Sequence, residues 1–540
     1  MNAIEIHCCA KEKSTMSFPA GALCIKTAIN QMSDLPKARL YEHFSYDSPE
    51  AAATSSLSRH PWAIGISLYI WNIDWFEKFA TCIRQNSPQT ILFAGGPQTK
   101  DFTNGLPSWL DFAILGEGEI STVSALKSIH EGKKVQNIQI EGLITGNYVS
   151  PVSSRLPDLS TLPSPFLTGE ADCIIKDYDS VLWELTRGCP FACAFCFESR
   201  GKRTVRDYPL DRIEKELKYL IKYEIVNVFV LDPTFNLNPD RAKTIMKLLI
   251  SKAPSYMHFT FEIRAELVDE ELAQMFAQLN CSLQIGLQSS DEEVLKQINR
   301  RFDKELFEQK VKLLSSKGVA FGLDIIIGLP KDNLKRFRNT VNFAVSLMPS
   351  NIDCFLLSLL PGTELTLRAD ELGLVTHDDN ERTIRSTPMF SEKDIEIAIS
   401  IRKGMDLFYT KGQSCMWIHC ILETLNITAC NLFSLFVKWM DQTGRTEDED
   451  IWILQDEFVQ SLFEKTKNSK LLPAMKSFME LHQGLCYVTD TCESATLELS
   501  YRPEDLAKLD NMSLSEFVRT HKAHHCTPTL VWEDEGVRIY

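Results

Sequence analysis

The chain has no long apolar run. No window approaches the roughly 18 uninterrupted apolar residues that a membrane span requires, so no membrane partner is expected. Positive charge is in short supply, with 57 Lys and Arg against 72 Asp and Glu and a formal net charge of -15. Such a surface repels phosphate backbones and anionic headgroups, which argues against a nucleic-acid partner but leaves room for a local basic pocket. There is no internal repeat and no long low-complexity tract. The first ten residues contain Glu5 and His7 and lack the basic-then-apolar order of a secretory leader. Sixteen cysteines without a leader point to free thiols in a reducing cytoplasm rather than to disulfides.

What the chain does have is length, 540 residues with an apolar share of 44%. That is too long for one ordinary core, and two to four domains are expected. One stretch stands out. Cys189, Cys193 and Cys196 follow the apolar-rich run Val181-Leu182-Trp183-Glu184-Leu185 at spacing C-x3-C-x2-C. Thiolates are the usual ligands of iron–sulfur clusters. Three of them in one short loop hold three irons of a four-iron cluster and leave the fourth open to a reactant. A zinc site is the competing reading, but it wants a fourth Cys or His nearby, and none lies within the next ten residues. Gly188 and Pro190 suit a tight loop around a cluster.

This motif resembles that of the radical SAM enzymes, in which the open iron chelates S-adenosylmethionine. The sequence after it supports a matching fold. Strands are expected at Val181–Leu185, Asn227–Leu231, His258–Glu262, Ser282–Gly286, Phe321–Ile327 and Asp353–Leu357, with helical stretches such as Leu210–Tyr223 and Arg241–Lys252 between them. About six βα units fit an open parallel (βα)6 partial barrel. The resemblance implies that cofactor contacts fall at the strand ends. Asp232 and Thr234 stand where the family carries a Gly-Gly-Glu-like motif for the methionine amino group, here altered. Glu262 and Arg264 suit ribose hydroxyls and the methionine carboxylate, which a guanidinium grips with two hydrogen bonds. Gln288, Ser289 and Ile327 fall near the adenine edge, and Phe195 matches the aromatic that borders adenine.

Residues 1–148 show a βα rhythm of their own, with strands expected at Ala3–Ile6, Ala63–Ser67, Thr90–Ala94 and Phe112–Leu115. This is the pattern of a Rossmann-like, doubly wound sheet, whose ligands sit beyond the carboxyl ends of the strands. Ser67, Tyr69, Gly95, Gly96, Gly116, Glu117 and Gly118 fall there. The segment Ile64–Glu119 resembles the cobalamin-binding domain found ahead of many radical SAM cores. It lacks the Asp-x-His-x-x-Gly signature, and His7, His43 and His60 have the wrong neighbours, so no histidine ligand to cobalt is expected.

Residues 149–178, rich in Ser and Pro, read as a connector draped over the surface. Residues 179–391 are then the radical SAM core, and 392–540 a mostly helical α+β region that resembles no family and is expected to shape the substrate site. There, the His521, His524, His525 and Cys526 cluster reads as a polar loop rather than a metal site. Cys415, Cys420 and Cys430 read as core packing rather than an auxiliary cluster.

The resemblance implies reductive cleavage of S-adenosylmethionine, driven by an electron donor such as flavodoxin or ferredoxin, and hydrogen abstraction by a 5′-deoxyadenosyl radical. With an upstream cobalamin domain, methyl transfer to an unactivated carbon is the expected outcome. The alternatives are a rearrangement or cyclisation enzyme without functional cobalamin, and a non-catalytic metal-binding regulatory protein. The substrate is not legible.

Overall fold

The structure is a computed structural model that describes residues 3–14, 16–146, 148–151, 157–198, 204–533 and 536–540. Two parallel sheets organise it. The first has seven strands: β1 (Ile4–Ala10), β2 (Ala38–Phe44), β3 (Ala63–Ser67), β4 (Ile91–Gly95), β5 (Phe112–Ile114), β6 (Leu143–Thr145) and β7 (Tyr148–Val149), in the order β2-β1-β3-β4-β5-β6-β7. The pairs from β2 through β5 are parallel, and β6 and β7 close the edge antiparallel. Buried apolar residues on both faces explain the near-continuous hydrophobic runs of β3 to β5. The order steps outward in opposite directions from β1 and β3, which puts a ligand crevice at their carboxyl ends.

The second sheet is the expected open partial barrel. It contains β8 (Ser180–Trp183), then, after a short antiparallel ribbon of β9 (Thr186–Arg187) and β10 (Arg206–Asp207), the strands β11 (Asn227–Val230), β12 (His258–Ile263), β13 (Cys281–Gln288), β14 (Ala320–Ile327) and β15 (Asn351–Leu356). Their order is β15-β14-β13-β12-β11-β8, all parallel. Burial alternates along β12 and β13. One face feeds the core through Phe259, Phe261, Leu283 and Ile285, while the other carries His258, Thr260, Glu262, Ser282 and Gln284 into the barrel interior.

The carboxyl ends of the two sheets face each other. Glu117, after β5, pairs with Arg187 at 3.2 Å and with Arg206, and Glu119 pairs with Arg187 at 2.7 Å. After β4, Asp101 pairs with Arg382 at 2.6 Å. The Lys100 stem lies where a Cβ on Gly362, in the loop after β15, would come within 2.7 Å of it.

One expectation needs correction, and several elements were not foreseen. The connector is not draped over the surface: Leu159, Ala171 and Ile175 are buried in the same core as the barrel. Its Ser and Pro residues shape short turns between apolar anchors, and composition alone hid the anchors. Strand β2, with Arg39, Glu42 and His43, was too polar to be recognised. The stretch Trp417–Trp439 is two helices, Ile418–Leu425 and Ala429–Thr443, broken where Asn426 turns left-handed at φ 49° and Thr428 caps the second. Pro473 opens the helix Leu472–Thr491, as a first-turn proline should. The chain closes on a three-stranded antiparallel sheet built from Ala495–Thr496, Thr529–Glu533 and Gly536–Ile539. Among the described residues no single helix is long and apolar enough to cross a membrane.

Candidate active site

The three cysteines sit in the loop after β9, each half-buried. The loop is braced from both sides. The Ala194 N–H donates to the Ile298 carbonyl at 3.1 Å, and the Leu365 N–H donates to the Ala194 carbonyl at 2.9 Å. Asn299 donates to the Ala192 carbonyl at 3.2 Å and to Glu364 at 2.6 Å. Gly188 has φ +95°, and a Cβ there would lie 2.3 Å from the Thr204 carbonyl oxygen, so only glycine fits. Burial pushes the Cys196 thiol up to about 12 and raises Cys189 as well. Binding a metal would displace the protons of Cys189 and Cys196.

The donor set fits a polynuclear cluster better than a single ion. Three thiols lie on one loop with no fourth Cys or His in the next ten residues, and in a cluster each thiolate takes its own iron. Cys420 and Cys430 are almost wholly buried, and all sixteen cysteines are unpaired.

Around the loop the side chains have distinct duties. Arg264 follows β12. Its guanidinium lies 3.5 Å from the Phe191 ring centroid, with Nη2 3.7 Å from Cys193 Sγ and Nη1 2.9 Å from Glu266. Asn236 clamps its backbone in both directions, at 3.0 and 2.8 Å. Thr234 donates to the Pro233 carbonyl at 2.6 Å and its side chain also bonds Cys189. Asp232 is 1% exposed, and its Oδ1 accepts the Leu185 and Thr186 N–H groups at 2.8 Å each. It anchors the root of the cysteine loop. Burial pushes its carboxyl up to about 7.

The barrel interior is acidic. Glu262 is pushed up to about 7, by burial and then by Asp324. Gln284 donates to both Asp324 and Asp353, the latter at 2.8 Å, and burial pushes Asp324 up to about 6. Gln288 ends β13 at φ 65° and 8% exposure. Ser289 turns away, 1% exposed, with its hydroxyl on Thr340 at 3.4 Å and accepting the Asp291 N–H. Ile327 is fully buried, and Phe195 packs half-buried against the core.

At the first sheet's edge, Tyr69 stacks on Trp71 with centroids 4.4 Å apart. Ser67 ends β3 half-buried. Gly96 has φ +103°, with a Cβ there meeting the Leu68 carbonyl oxygen at 2.4 Å; Gly95 beside it is open. Gly116 has φ +81°. Two expectations shift. Glu117 is committed to Arg187 and Arg206, and the space at Gly118 is taken by Ile25, whose Cδ1 would be 2.8 Å from a Cβ. His7 is fully buried and bonded to His43 and Glu5 at 2.8 and 3.0 Å, so those ring nitrogens are engaged within the protein.

Sequence reasoning missed Arg187, Arg206, Asn236, Gln284, Asp324, Asp353 and Arg300. The only signal was polar residues inside otherwise apolar strands, at Gln284 and Asp324.

A six-stranded parallel partial barrel with three thiols on the loop that leaves its first strand defines a class of iron–sulfur fold. Residues 183–344 match the family described as the Radical SAM superfamily, and this segment is a radical SAM domain. Over 344 residues the chain is 24% identical to TokK of Streptomyces tokunonensis, a cobalamin-dependent radical SAM methyltransferase, covering 58% of this chain and 50% of that protein. It is also 24% identical over 304 residues to the 2-(S-pantetheinyl)-carbapenam-3-carboxylate methyltransferase of Streptantibioticus cattleyicolor, covering 52% and 44%. The chain thus spans about half the length of these curated relatives. Among solved structures, OxsB with aqua-cobalamin and S-adenosylmethionine bound aligns with TM-score 0.60 and 13% identity, covering 95% of this chain and 83% of that one. TsrM from Kitasatospora setae, with cobalamin and a four-iron four-sulfur cluster bound, gives 0.57 and 16%, covering 69% and 79%. These likenesses establish the fold of both sheets and, through OxsB, of the C-terminal region that the sequence left unassigned.

Proposed function

We propose that the chain is a cobalamin-dependent radical SAM methyltransferase acting on an unactivated carbon. The observation that carries this reading is the seat of the cysteine loop. It lies at the carboxyl ends of one parallel sheet, facing the carboxyl ends of a second sheet whose glycine turns suit a large flat ligand. The relatives named as cobalamin-dependent support it.

Cys189, Cys193 and Cys196 would hold the cluster. Arg264 and Arg300 offer guanidinium groups to the methionine carboxylate, and Glu262 offers a carboxyl to the ribose hydroxyls. Ser67, Tyr69, Gly95, Gly96 and Gly116 would line the corrinoid, with no histidine to cobalt. When bound, the cluster supplies one electron to the sulfonium of S-adenosylmethionine and the corrinoid supplies a transferable methyl group. The chain's own part is orientation and exclusion of water. The Asn236 clamp fixes Arg264, and the Arg187 and Arg206 pairs fix the spacing of the two sheets. An electron donor such as flavodoxin or ferredoxin is required, and sixteen free thiols suit a reducing compartment.

Anaerobic reconstitution with iron, sulfide and hydroxocobalamin tests the reading. A retained corrinoid, with 5′-deoxyadenosine and S-adenosylhomocysteine formed under dithionite, is expected. A chain that makes 5′-deoxyadenosine but keeps no corrinoid is a rearrangement or cyclisation enzyme instead.

A further inference from the structure

Arg300 is 9% exposed, and among the described residues no carboxylate comes within ion-pairing distance of it. Its neighbour Arg264 has Glu266 at 2.9 Å; Arg300 has only the Gly286 carbonyl, which accepts from its Nη2. The fold is built to admit it. A Cβ on Gly286 would meet Gln288 Nε2 at 2.5 Å and Arg300 Nη1 at 3.2 Å, so glycine leaves the space that both side chains use, next to the irregularity between Gly286 and Gln288 in β13. The turn that carries Arg300 is also the brace of the cysteine loop: Ile298 accepts the Ala194 N–H, and Asn299, left-handed at φ 58°, holds the Ala192 carbonyl. Beyond burial, Arg264, Cys193, Glu266 and Asp324 act on Arg300, in that order. A buried cation with no carboxylate in direct contact is costly, and here the turn that carries it braces the loop of three thiols.

We propose that Arg300 is a positioning residue for charge that raises the reduction potential of the cluster held by Cys189, Cys193 and Cys196. The inference rests on that cluster reading. Reduction adds one negative charge to an already anionic thiolate-ligated cluster, and a fixed positive charge in a dry site stabilises the reduced form. Arg264 is ion-paired with Glu266, whereas Glu266 and Asp324 reach Arg300 only at longer range, so Arg300 is the less compensated of the two. The charge is present whether or not a cofactor carboxylate later pairs with it, so the test is made without S-adenosylmethionine.

The test is an EPR-monitored redox titration of the anaerobically reconstituted full chain. Arg300→Gln should shift the reduction equilibrium at least tenfold toward the oxidised form, which is about 59 mV lower for a one-electron couple. Arg300→Lys should stay near wild type. Arg300→Met, which keeps an unbranched stem and removes the charge, should move the potential in the same direction as Arg300→Gln. A wild-type potential in Arg300→Gln, or an equal shift in Arg300→Lys, overturns the inference. Should Arg300→Gln take up no cluster, Arg300→Met decides, and a wild-type potential there overturns it. A wild-type chain that takes up no cluster overturns the assignment of the loop, and this inference with it.

Discussion

Asp232 holds the backbone of Thr186. The N–H of Thr186 and that of its neighbour Leu185 both meet one carboxylate oxygen at 2.8 Å, at the point where the chain leaves β8 for the cysteine loop. Removing the acceptor strands two buried donors, at about 1–3 kcal/mol each. Asp232→Ala should lower stability by that order in chemical denaturation and should load less iron. Asp232→Asn keeps a carbonyl oxygen in place and should cost much less. Equal losses in the two variants would remove the anchoring role.

The three cysteines make a sharper case. Each is only half-buried, so replacement by alanine costs little packing. Cys189→Ala, Cys193→Ala and Cys196→Ala should each fold with a melting temperature close to wild type and lose the broad iron–sulfur absorbance after anaerobic reconstitution. Iron and sulfide analysis checks this, and a full cluster in any one variant would exclude that thiol as a ligand.

The strand order of the barrel was legible because β11 to β15 are short apolar runs with helical spacers, and the cysteine spacing is local. What joins these parts was not. Glu117 reaches Arg187 and Arg206 across intervals of 70 and 89 residues, and nothing in either neighbourhood hints at the other. Arg300 sits in the polar run Asn299-Arg300-Arg301 and reads as surface; only Gly286, on another strand, makes room for it. Strand β2 and the buried connector were hidden for the reverse reason, since Arg39, Glu42 and the prolines of 157–165 mask their apolar anchors.

The barrel interior carries a pH signature. Glu262 and Asp232 are held at about 7 and Asp324 at about 6, mainly by burial. Unfolded carboxyls titrate near 4. The folded chain therefore keeps protons that the unfolded chain releases, and this stabilisation is full below about pH 4 and lost as pH rises through about 7. Melting temperatures of the metal-free chain should fall across that window. Glu262→Gln and Asp324→Asn should flatten the fall, stabilising at pH 8 and not at pH 4. Curves parallel to wild type would contradict the assignment.

Arg187 ties the sheets together through Glu117 and Glu119, and is itself oriented by Glu184 three residues before it. Its side chain is 13% exposed and that of Glu119 is 9%, so breaking the network leaves buried carboxylates without a partner, at about 3–5 kcal/mol. Arg187→Gln should be destabilised by that order and should expose the loop after β5 to limited proteolysis. Lys215→Gln is a control, because its pair with Asp211 is solvent-exposed and worth little. A proteolysis pattern unchanged in Arg187→Gln would mean the sheets are held by other contacts.

Gly95 and Gly96 separate a structural from a ligand-facing glycine within one turn. At Gly96 the backbone has φ +103°, and an added Cβ would meet the Leu68 carbonyl oxygen at 2.4 Å. Gly96→Ala carries both the left-handed penalty, about 1–2 kcal/mol, and a clash with rigid backbone. Its stability should fall by more than that figure. At Gly95 a Cβ meets nothing within 4 Å, so Gly95→Ala should leave stability unchanged. If the open side of Gly95 is where a corrinoid lies against the backbone, the same methyl group blocks it. Hydroxocobalamin retention should then drop severalfold in Gly95→Ala while its melting temperature without corrinoid matches wild type. Undiminished retention would place the corrinoid elsewhere on the sheet edge, because no packing loss in this variant could otherwise account for the result.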